Sequence, residues 1–356
     1  MNILNLPTYA IHLGDLRESA GDWLRGRNYS KLAILVDENT AQHCLPVWLE
    51  KTGLEDFQLI RIAAGEQHKN IETCQTIWRQ MLAFGLDRRS LLLNLGGGVI
   101  GDMGGFCAAT FKRGMDFVQV PTTLLSQIDA SVGGKLGIDF MQVKNSIGVF
   151  QDPVAVFIDA DFLKTLPYRE LRSGFAEMLK HALIADAGQW QKLIQLENLA
   201  VPDWLPYILH SLRIKQGIVE TDPFERGIRK ALNFGHTIGH ALEGHALASE
   251  HPLLHGEAIA AGMIAESYLS HRKQGLPMRD VEAIATYLNR IYGTFKIEKS
   301  NYPAYFALMQ QDKKNENGQI MFSLIHPIGN AVVNVACDDA EIEVALDYTS
   351  ALQGIF

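Results

Sequence analysis

Cysteine is scarce: Cys44, Cys74, Cys107 and Cys337 are widely separated and form no C-x-x-C pair. That spacing excludes a disulfide framework and a cysteine-based zinc knuckle, and a reducing, cytoplasmic setting is the simplest expectation. No apolar run of about 18 residues occurs, so no membrane-spanning helix is expected. The opening Met1–Pro7 lacks the basic and apolar regions of a signal peptide. Positive charge is also in deficit, with 32 Lys and Arg against 40 Asp and Glu and a net charge of −8. A general nucleic-acid or membrane-surface binder needs a basic face and is therefore excluded, whereas a small anion in a locally basic pocket is not. Internal repeats, low-complexity segments and an early G-x-G-x-x-G fingerprint are all missing.

What is there is an ordinary globular composition, 47% hydrophobic and 20% charged over 356 residues. At about 150 residues per domain, that length suggests two domains, or one large one. In the first half, short apolar runs at Lys31–Val36, Leu59–Ala63, Leu91–Leu95, Phe117–Val120 and Val154–Ile158 alternate with helix-compatible stretches near 40–51, 70–86 and 101–112. Nearly continuous apolar strands between helices imply a mostly parallel sheet covered on both faces. Near Pro167 the period changes to about 3.6. Helices are then expected at about 175–182, 204–219, 230–245, 254–273 and 279–292, with a hairpin at 320–335 and a closing helix near 339–352. The expected fold class is an α/β N-terminal nucleotide-binding domain with a mostly parallel sheet, residues 1–168, followed by a mainly α-helical metal- and substrate-binding domain, residues 169–356.

Ligands of open α/β sheets bind beyond the carboxyl ends of the strands. Asp37 and Asn39 follow the first clear strand, where an acid can take ribose hydroxyls, a helix cap being the alternative. Strand 91–95 runs into Gly96-Gly97-Gly98-Val99-Ile100-Gly101-Asp102, whose glycines let backbone N–H groups approach a pyrophosphate. Val120-Pro121-Thr122-Thr123 ends another strand with two hydroxyls. Ser131-Val132-Gly133-Gly134-Lys135 combines a glycine turn with an ammonium, a good nest for phosphate or carboxylate. Lys144-Asn145 follows it and Lys112-Arg113 precedes the strand leading there.

In the second half, Glu177 and Lys180 are three apart on one helix, and Arg229 and Asn233 four apart on another. Each basic residue taken singly is a solvated surface charge by default. Among 12 histidines, His236 and His240 form an i, i+4 pair that can share a divalent metal, with His255 or Glu177 as further donors. On spacing alone the pair His236 and His240 is the metal candidate. The pattern lacks the Glu of H-E-x-x-H, which argues against a zinc peptidase. Zinc is the first choice and cobalt the second.

Four stretches together, 96–102, Pro121–Lys135, Gly174–Glu177 and Leu232–Ala241, closely resemble the signatures of the 3-dehydroquinate synthases, within the sugar-phosphate cyclases. The resemblance runs from about residue 30 to about 330. It implies a homodimer with bound NAD and a divalent metal, Zn2+ or Co2+, in a cleft. It places the metal on Glu177, His236 and His255, moving His240 to the substrate phosphate. NAD contacts are implied at Asp37, Asn39, Glu66, Lys69, Gly97, Gly98, Val99, Asp102, Thr122, Thr123, Leu125, Phe162, Thr165 and Leu166. Substrate contacts are implied at Arg113, Asp129, Lys135, Lys144, Asn145, Lys180, Lys215, Arg229, Asn233, His240 and Lys314, where neighbouring Lys313 is an alternative.

The implied substrate is a small anionic sugar phosphate, 3-deoxy-D-arabino-heptulosonate 7-phosphate. The implied reaction is transient NAD-dependent oxidation, phosphate elimination, reduction, ring opening and an intramolecular aldol closure, the second step of the shikimate pathway. Arg229, Leu232, Asn233 and His240 take the synthase form rather than that of cyclases making other cyclitols. Phe111-Lys112-Arg113 departs from the more usual Tyr-Met-Arg but keeps the arginine. A metal-dependent polyol dehydrogenase of similar architecture and a silent NAD- and metal-binding regulator are the alternatives.

Overall fold

The computed structural model describes residues 2–141, 143–199, 203–247, 249, 252–310 and 319–352. The chain separates into two compact units, Met1–Pro167 with Pro202–Gln216, and Tyr168–Val201 with Gly217–Phe356.

The first unit is built on a seven-stranded sheet. In chain order its elements are β1 (Asn2–Asn5), β2 (Ala10–Leu13), α1 (Ala20–Arg25), β3 (Leu32–Asp37), α2 (Glu38–His43), α3 (Leu45–Thr52), β4 (Gln58–Ile62), α4 (Ile71–Ala83), β5 (Leu91–Gly96), α5 (Gly98–Thr110), β6 (Asp116–Pro121), β7 (Lys135–Phe140), β8 (Val143–Phe150) and β9 (Ala155–Ile158). The strand order is β1-β2-β9-β6-β5-β3-β4, with β7 and β8 forming a separate hairpin. Every pair from β2 to β4 is parallel, and only β1 runs antiparallel to its neighbour. The pleat explains the continuous apolar runs. Ala33 and Leu35 pack into a core with α4 and α5, while Ile34 and Val36 pack into another with Trp48 of α3. Both faces of β3 are therefore buried.

From β3 the chain moves outward to β4 and then returns to the other side of β3 as β5. The order reverses between these two strands, so their carboxyl ends, at Asp37 and Gly96, flank a topological switch point. The stretch expected to be one helix near 40–51 is two. Asp37 caps α2 through Thr40 N–H, and Pro46 occupies the first turn of α3, where a missing N–H costs nothing. Strands β1 and β2 and the β7–β8 hairpin lie outside the sequence expectations. The glycine-rich turn at 131–137 gives no sign of the hairpin that follows, because β8 is almost wholly solvated and carries no apolar alternation.

The second unit contains α6 (Tyr168–Ala185), α7 (Ala187–Leu193), the end of α8 (Leu205–Thr221), α9 (His236–Ala246), α10 (His255–Gln274), α11 (Met278–Tyr292), α12 (Tyr302–Gln310), the hairpin β10 (Ile320–Ile325) and β11 (Ala331–Cys337), and α13 (Asp339–Ala351). Most of α8 groups with the first unit. One expected helix is corrected: 230–245 is a 3-10 segment over Ile228–Asn233 followed by α9. The break falls at Gly235, whose φ of 81° is left-handed, and buried Glu266 accepts from Gly235 N–H (2.6 Å) and Ile238 N–H (3.1 Å). That carboxylate fixes where α9 begins and hence where His236 stands. Helices α9 and α10 pack closely because Gly262 meets the Gly235 carbonyl, where a Cβ has no room. Among the described residues no helix is long and apolar enough to cross a membrane.

Candidate metal centre and nucleotide edge

In the second unit, α6 presents Glu177 and Lys180 from one face and pairs them directly within a fully buried setting. Glu177 Oε1 makes no hydrogen bond of good geometry among the described residues. Nε2 of His236 lies 3.3 Å from it and Nε2 of His255 3.4 Å. Two imidazole nitrogens and a carboxylate oxygen thus converge on one point, a donor set that a divalent cation satisfies and that leaves further positions open. His236 starts α9 and His255 starts α10, so the two rings come from the first turns of packed helices. Glu257, two residues past His255, takes Arg169 of α6 in a bidentate pair at 2.8 and 2.6 Å and ties α10 to the helix that carries Glu177.

His240 stands beside this group, its ring centroid 5.1 Å from that of His236 and 5.7 Å from that of His255. Ligand atoms of His236, His240 and His255 all fall within 4.8 Å of one another, so three imidazoles and one carboxylate are available. Burial separates them: Glu177 is fully enclosed and His236 buried, whereas His240 is exposed. Burial pushes the Glu177 carboxyl pKa up, but Lys180 and the imidazoles outweigh it and hold the group well below its usual range. Burial lowers His236. It also acts against His255, yet Glu243 and Glu177 raise that ring to about 10. The two rings differ because His255 alone faces a second carboxylate, with Nδ1 3.1 Å from Glu243 Oε2.

Arg229 and Asn233 fall on the 3-10 segment, where four residues do not return to the same face, so the sequence pairing on one α-helical face is corrected. Asp222 organises this stretch, accepting from the backbone N–H groups of Arg226, Gly227 and Arg229 at 3.0, 2.6 and 3.1 Å. Asn233 Nδ2 donates to Glu225 at 2.8 Å. Lys314 and its neighbour Lys313 lie outside the described residues.

In the first unit every implied nucleotide residue lies at or beyond the carboxyl end of a parallel strand: Asp37 at the end of β3 and Asn39 after it, Glu66 and Lys69 after β4, Gly97, Gly98, Val99 and Asp102 after β5, Thr122, Thr123 and Leu125 after β6, and Phe162, Thr165 and Leu166 after β9. Helix α5 begins at Gly98 with no side-chain cap and no acid in its first turn, so its N–H groups face outward unclaimed by side chains. A Cβ on Gly97 meets Thr123 Cγ2 at 3.1 Å, which marks a close approach. These features fit a pyrophosphate. Asp37 also serves as a cap, accepting from Thr40 N–H at 2.8 Å. Phe162 is buried in the apolar core under α3, so only its backbone is available to a ligand.

Lys69 Nζ donates to Asp102 at 2.6 Å and to Asn145 Oδ1 at 2.7 Å, joining the hairpin to the glycine turn. Desolvation lowers Lys69, yet Asp102 and Glu66 together raise it. Lys144 lies 3.5 Å from Glu66, and Lys215 of α8 pairs with Asp129 at 2.8 Å. Lys135 is exposed at the start of β7. Arg113 is set apart, past the far end of α5 at the amino end of β6. The thirteen residues of α5 put it about 20 Å from the glycine turn by helical rise.

Family models for the 3-dehydroquinate synthase N-terminal and C-terminal regions match residues 59–173 and 174–315. The 3-dehydroquinate synthase of Parabacteroides distasonis is 40% identical over 343 residues, covering 96% of this chain and 97% of its own. The chain belongs to the 3-dehydroquinate synthase family. A solved 2-epi-5-epi-valiolone synthase from Streptomyces hygroscopicus subsp. jinggangensis, with NAD+ and Zn2+ bound, superposes with a TM-score of 0.82 at 27% identity, covering 99% of each chain. A 2-deoxy-scyllo-inosose synthase complexed with carbaglucose-6-phosphate, NAD+ and Co2+ shares the fold, with a TM-score of 0.86 at 24% identity over 98% of this chain and 99% of that one. For this member of the 3-dehydroquinate synthase family, the α/β-then-helical architecture expected from the sequence is the one observed.

Sequence reasoning missed Glu225, Glu243, Glu257 and Glu266, all of which hold candidate site residues or the helices that carry them. Glu243 was within reach, since it follows His240 by three residues. Glu257 was too, two residues past His255, whereas Glu225 and Glu266 carry no local signal.

Proposed function

We propose that this chain converts 3-deoxy-D-arabino-heptulosonate 7-phosphate to 3-dehydroquinate and phosphate, as a cytoplasmic homodimer using NAD and a divalent metal, Zn2+ or Co2+. Residues 1–168 would serve as the nucleotide-binding domain and 169–356 as the metal- and substrate-binding domain, with Pro202–Gln216 joining the former. The observation that carries this reading is buried Glu177, with the His236 and His255 nitrogens 3.3 and 3.4 Å from one of its oxygens. When bound, NAD supplies a transient hydride acceptor and the cation a Lewis acid for a sugar alcohol.

Glu177, His236 and His255 would hold the cation, and the uncapped start of α5 at Gly97 and Gly98 the dinucleotide pyrophosphate. Lys180 balances Glu177 in the buried setting and offers remaining ammonium protons to a substrate oxygen. Arg229, Asn233 and His240, with Lys135, Lys144, Asn145, Asp129, Lys215, Arg113 and Lys314, would bind and orient the carboxylate and phosphate. The lysines and arginines of this set would supply the positive charge that an anionic substrate needs and that a chain of net charge −8 lacks overall. The departing phosphate can itself take the proton from carbon. The side chains then contribute position and electrostatics rather than a dedicated base.

The test is phosphate release from the heptulosonate phosphate with detection of the carbocycle and of NADH. Stoichiometric phosphate and carbocycle without net NADH is the expected outcome. Net NADH accumulation with no carbocycle would turn the reading toward a polyol dehydrogenase.

A further inference from the structure

His255 is held from two sides. Its Nε2 faces Glu177 Oε1 at 3.4 Å, and its Nδ1 lies 3.1 Å from Oε2 of Glu243, a residue 4% exposed. A carboxylate behind Nδ1 accepts that nitrogen's proton in a hydrogen bond. The lone pair is then placed on Nε2, toward the point where Glu177 and His236 converge. His236 has only a neutral counterpart, the Phe234 carbonyl 3.1 Å from its Nδ1. The two rings therefore receive unequal support, a full negative charge behind His255 and a peptide dipole behind His236.

The contact is built by the fold. Glu243 sits near the end of α9, His255 opens α10, and the close packing of those helices brings the two together.

We infer that Glu243 is a positioning residue of the metal centre, acting through His255 by fixing its tautomer and ring orientation. This rests on the assignment of Glu177, His236 and His255 as metal ligands. Glu243 faces Nδ1, the other nitrogen of the ring from the one aimed at that convergence point. Carboxylates in this relation to a ligating imidazole change metal affinity by about 10- to 100-fold.

The experiment is a Zn2+ titration of chelator-stripped protein against a chromophoric competitor, paired with the visible spectrum of the Co2+ form and the melting temperature of the ion-free protein. Wild type, Glu243→Gln, His255→Ala and the double variant are compared. Glu243→Gln is expected to weaken Zn2+ binding about 10- to 100-fold and to shift the Co2+ spectrum. In the His255→Ala background the same change is expected to have no further effect, because Glu243 acts only through that ring. Glu243→Asp, which keeps the charge but withdraws the carboxylate, reads the same parameter if Glu243→Gln folds poorly, with an intermediate loss expected. Wild-type affinity and spectrum in Glu243→Gln alongside weakened binding in His255→Ala would overturn the inference alone. An undiminished loss in the His255→Ala background would also overturn it, because a general charge effect would then suffice. Wild-type affinity in His255→Ala would instead overturn the ligand assignment, and the inference with it.

Discussion

The nucleotide edge of the first unit and the metal centre of the second are opposite kinds of site. The edge is made of backbone: an uncapped helix start, a glycine whose Cβ would crowd Thr123 and strand ends in parallel register. The centre is made of side chains from α6, α9 and α10: Glu177 paired with Lys180, His255 backed by Glu243, and His236 backed by the Phe234 carbonyl. A backbone site needs particular residues mainly because others are too large, so it depends on what is absent. A side-chain site depends on what is present. Truncation should therefore damage the centre, and added bulk should damage the edge.

The largest effect tests the centre. Glu177→Gln keeps the shape and removes the charge, leaving Lys180 buried without its counter-charge. Turnover is expected to fall on the order of 10³-fold, with metal lost on dialysis and NAD binding retained. Metal content by elemental analysis and a steady-state assay check this, and full activity with bound metal would erase the contrast between the two regions.

On the edge, Gly97→Val drives a side chain against Thr123. NAD affinity is expected to fall about 10- to 100-fold, as overpacking by 1–3 kcal/mol implies, while Zn2+ affinity stays at the wild-type value. Isothermal titration with each ligand separates the two, and an unaffected NAD affinity would break the account of the edge.

A smaller effect is expected at Asp222, which shapes the segment carrying Arg229. Burial raises its carboxyl pKa, but three backbone N–H groups outweigh that and lower it. Its contribution is therefore present above the ordinary value of 3.8 and is lost as pH falls through the lower folded value. Asp222→Asn is expected to reduce kcat/KM about tenfold, roughly 1.4 kcal/mol, with metal and NAD affinities unchanged. It should also flatten the acid limb of the melting-temperature profile below about pH 4.

The smallest effect separates two roles of one residue. Thr40→Ala removes half of the capping box at α2 and is expected to cost about 1 kcal/mol in denaturant unfolding with NAD affinity intact. Asp37→Ala is expected to cost both if, as proposed, the carboxylate that caps the helix also takes the nucleotide. If Thr40→Ala weakened NAD binding equally, the edge would depend on side-chain packing as the centre does.

The two regions also differ in how far they can be read from the chain. The edge is contiguous: Gly96–Gly98 between a strand and a helix names its own role, because a strand end, a glycine turn and a helix start are local events. The i, i+4 pair His236 and His240 is local in the same sense, and spacing alone picks it as the metal pair. The structure places buried Glu177 with His236 and His255, and leaves His240 exposed beside them. Separating these arrangements requires burial, which spacing does not contain. The break at Gly235 was hidden as well, since the apolar period runs through 230–245 while the carboxylate that ends the 3-10 turn comes from Glu266, about thirty residues on.

Sequence alone determined the alternation of apolar strands and helices, the change of period near Pro167, the glycine turn, and the residue types from which a cation and an anion site can be made. All of these depend on neighbours within a few residues, where the pleat and the helical turn act directly. Tertiary structure decided which donors share a point and which carboxylate stands behind His255. It also set Arg113 at the far end of α5, away from the glycine turn it follows in sequence. Those outcomes depend on how closely α6, α9 and α10 pack and on which strand ends share an edge. They are distances through space between residues far apart along the chain, which no local pattern encodes.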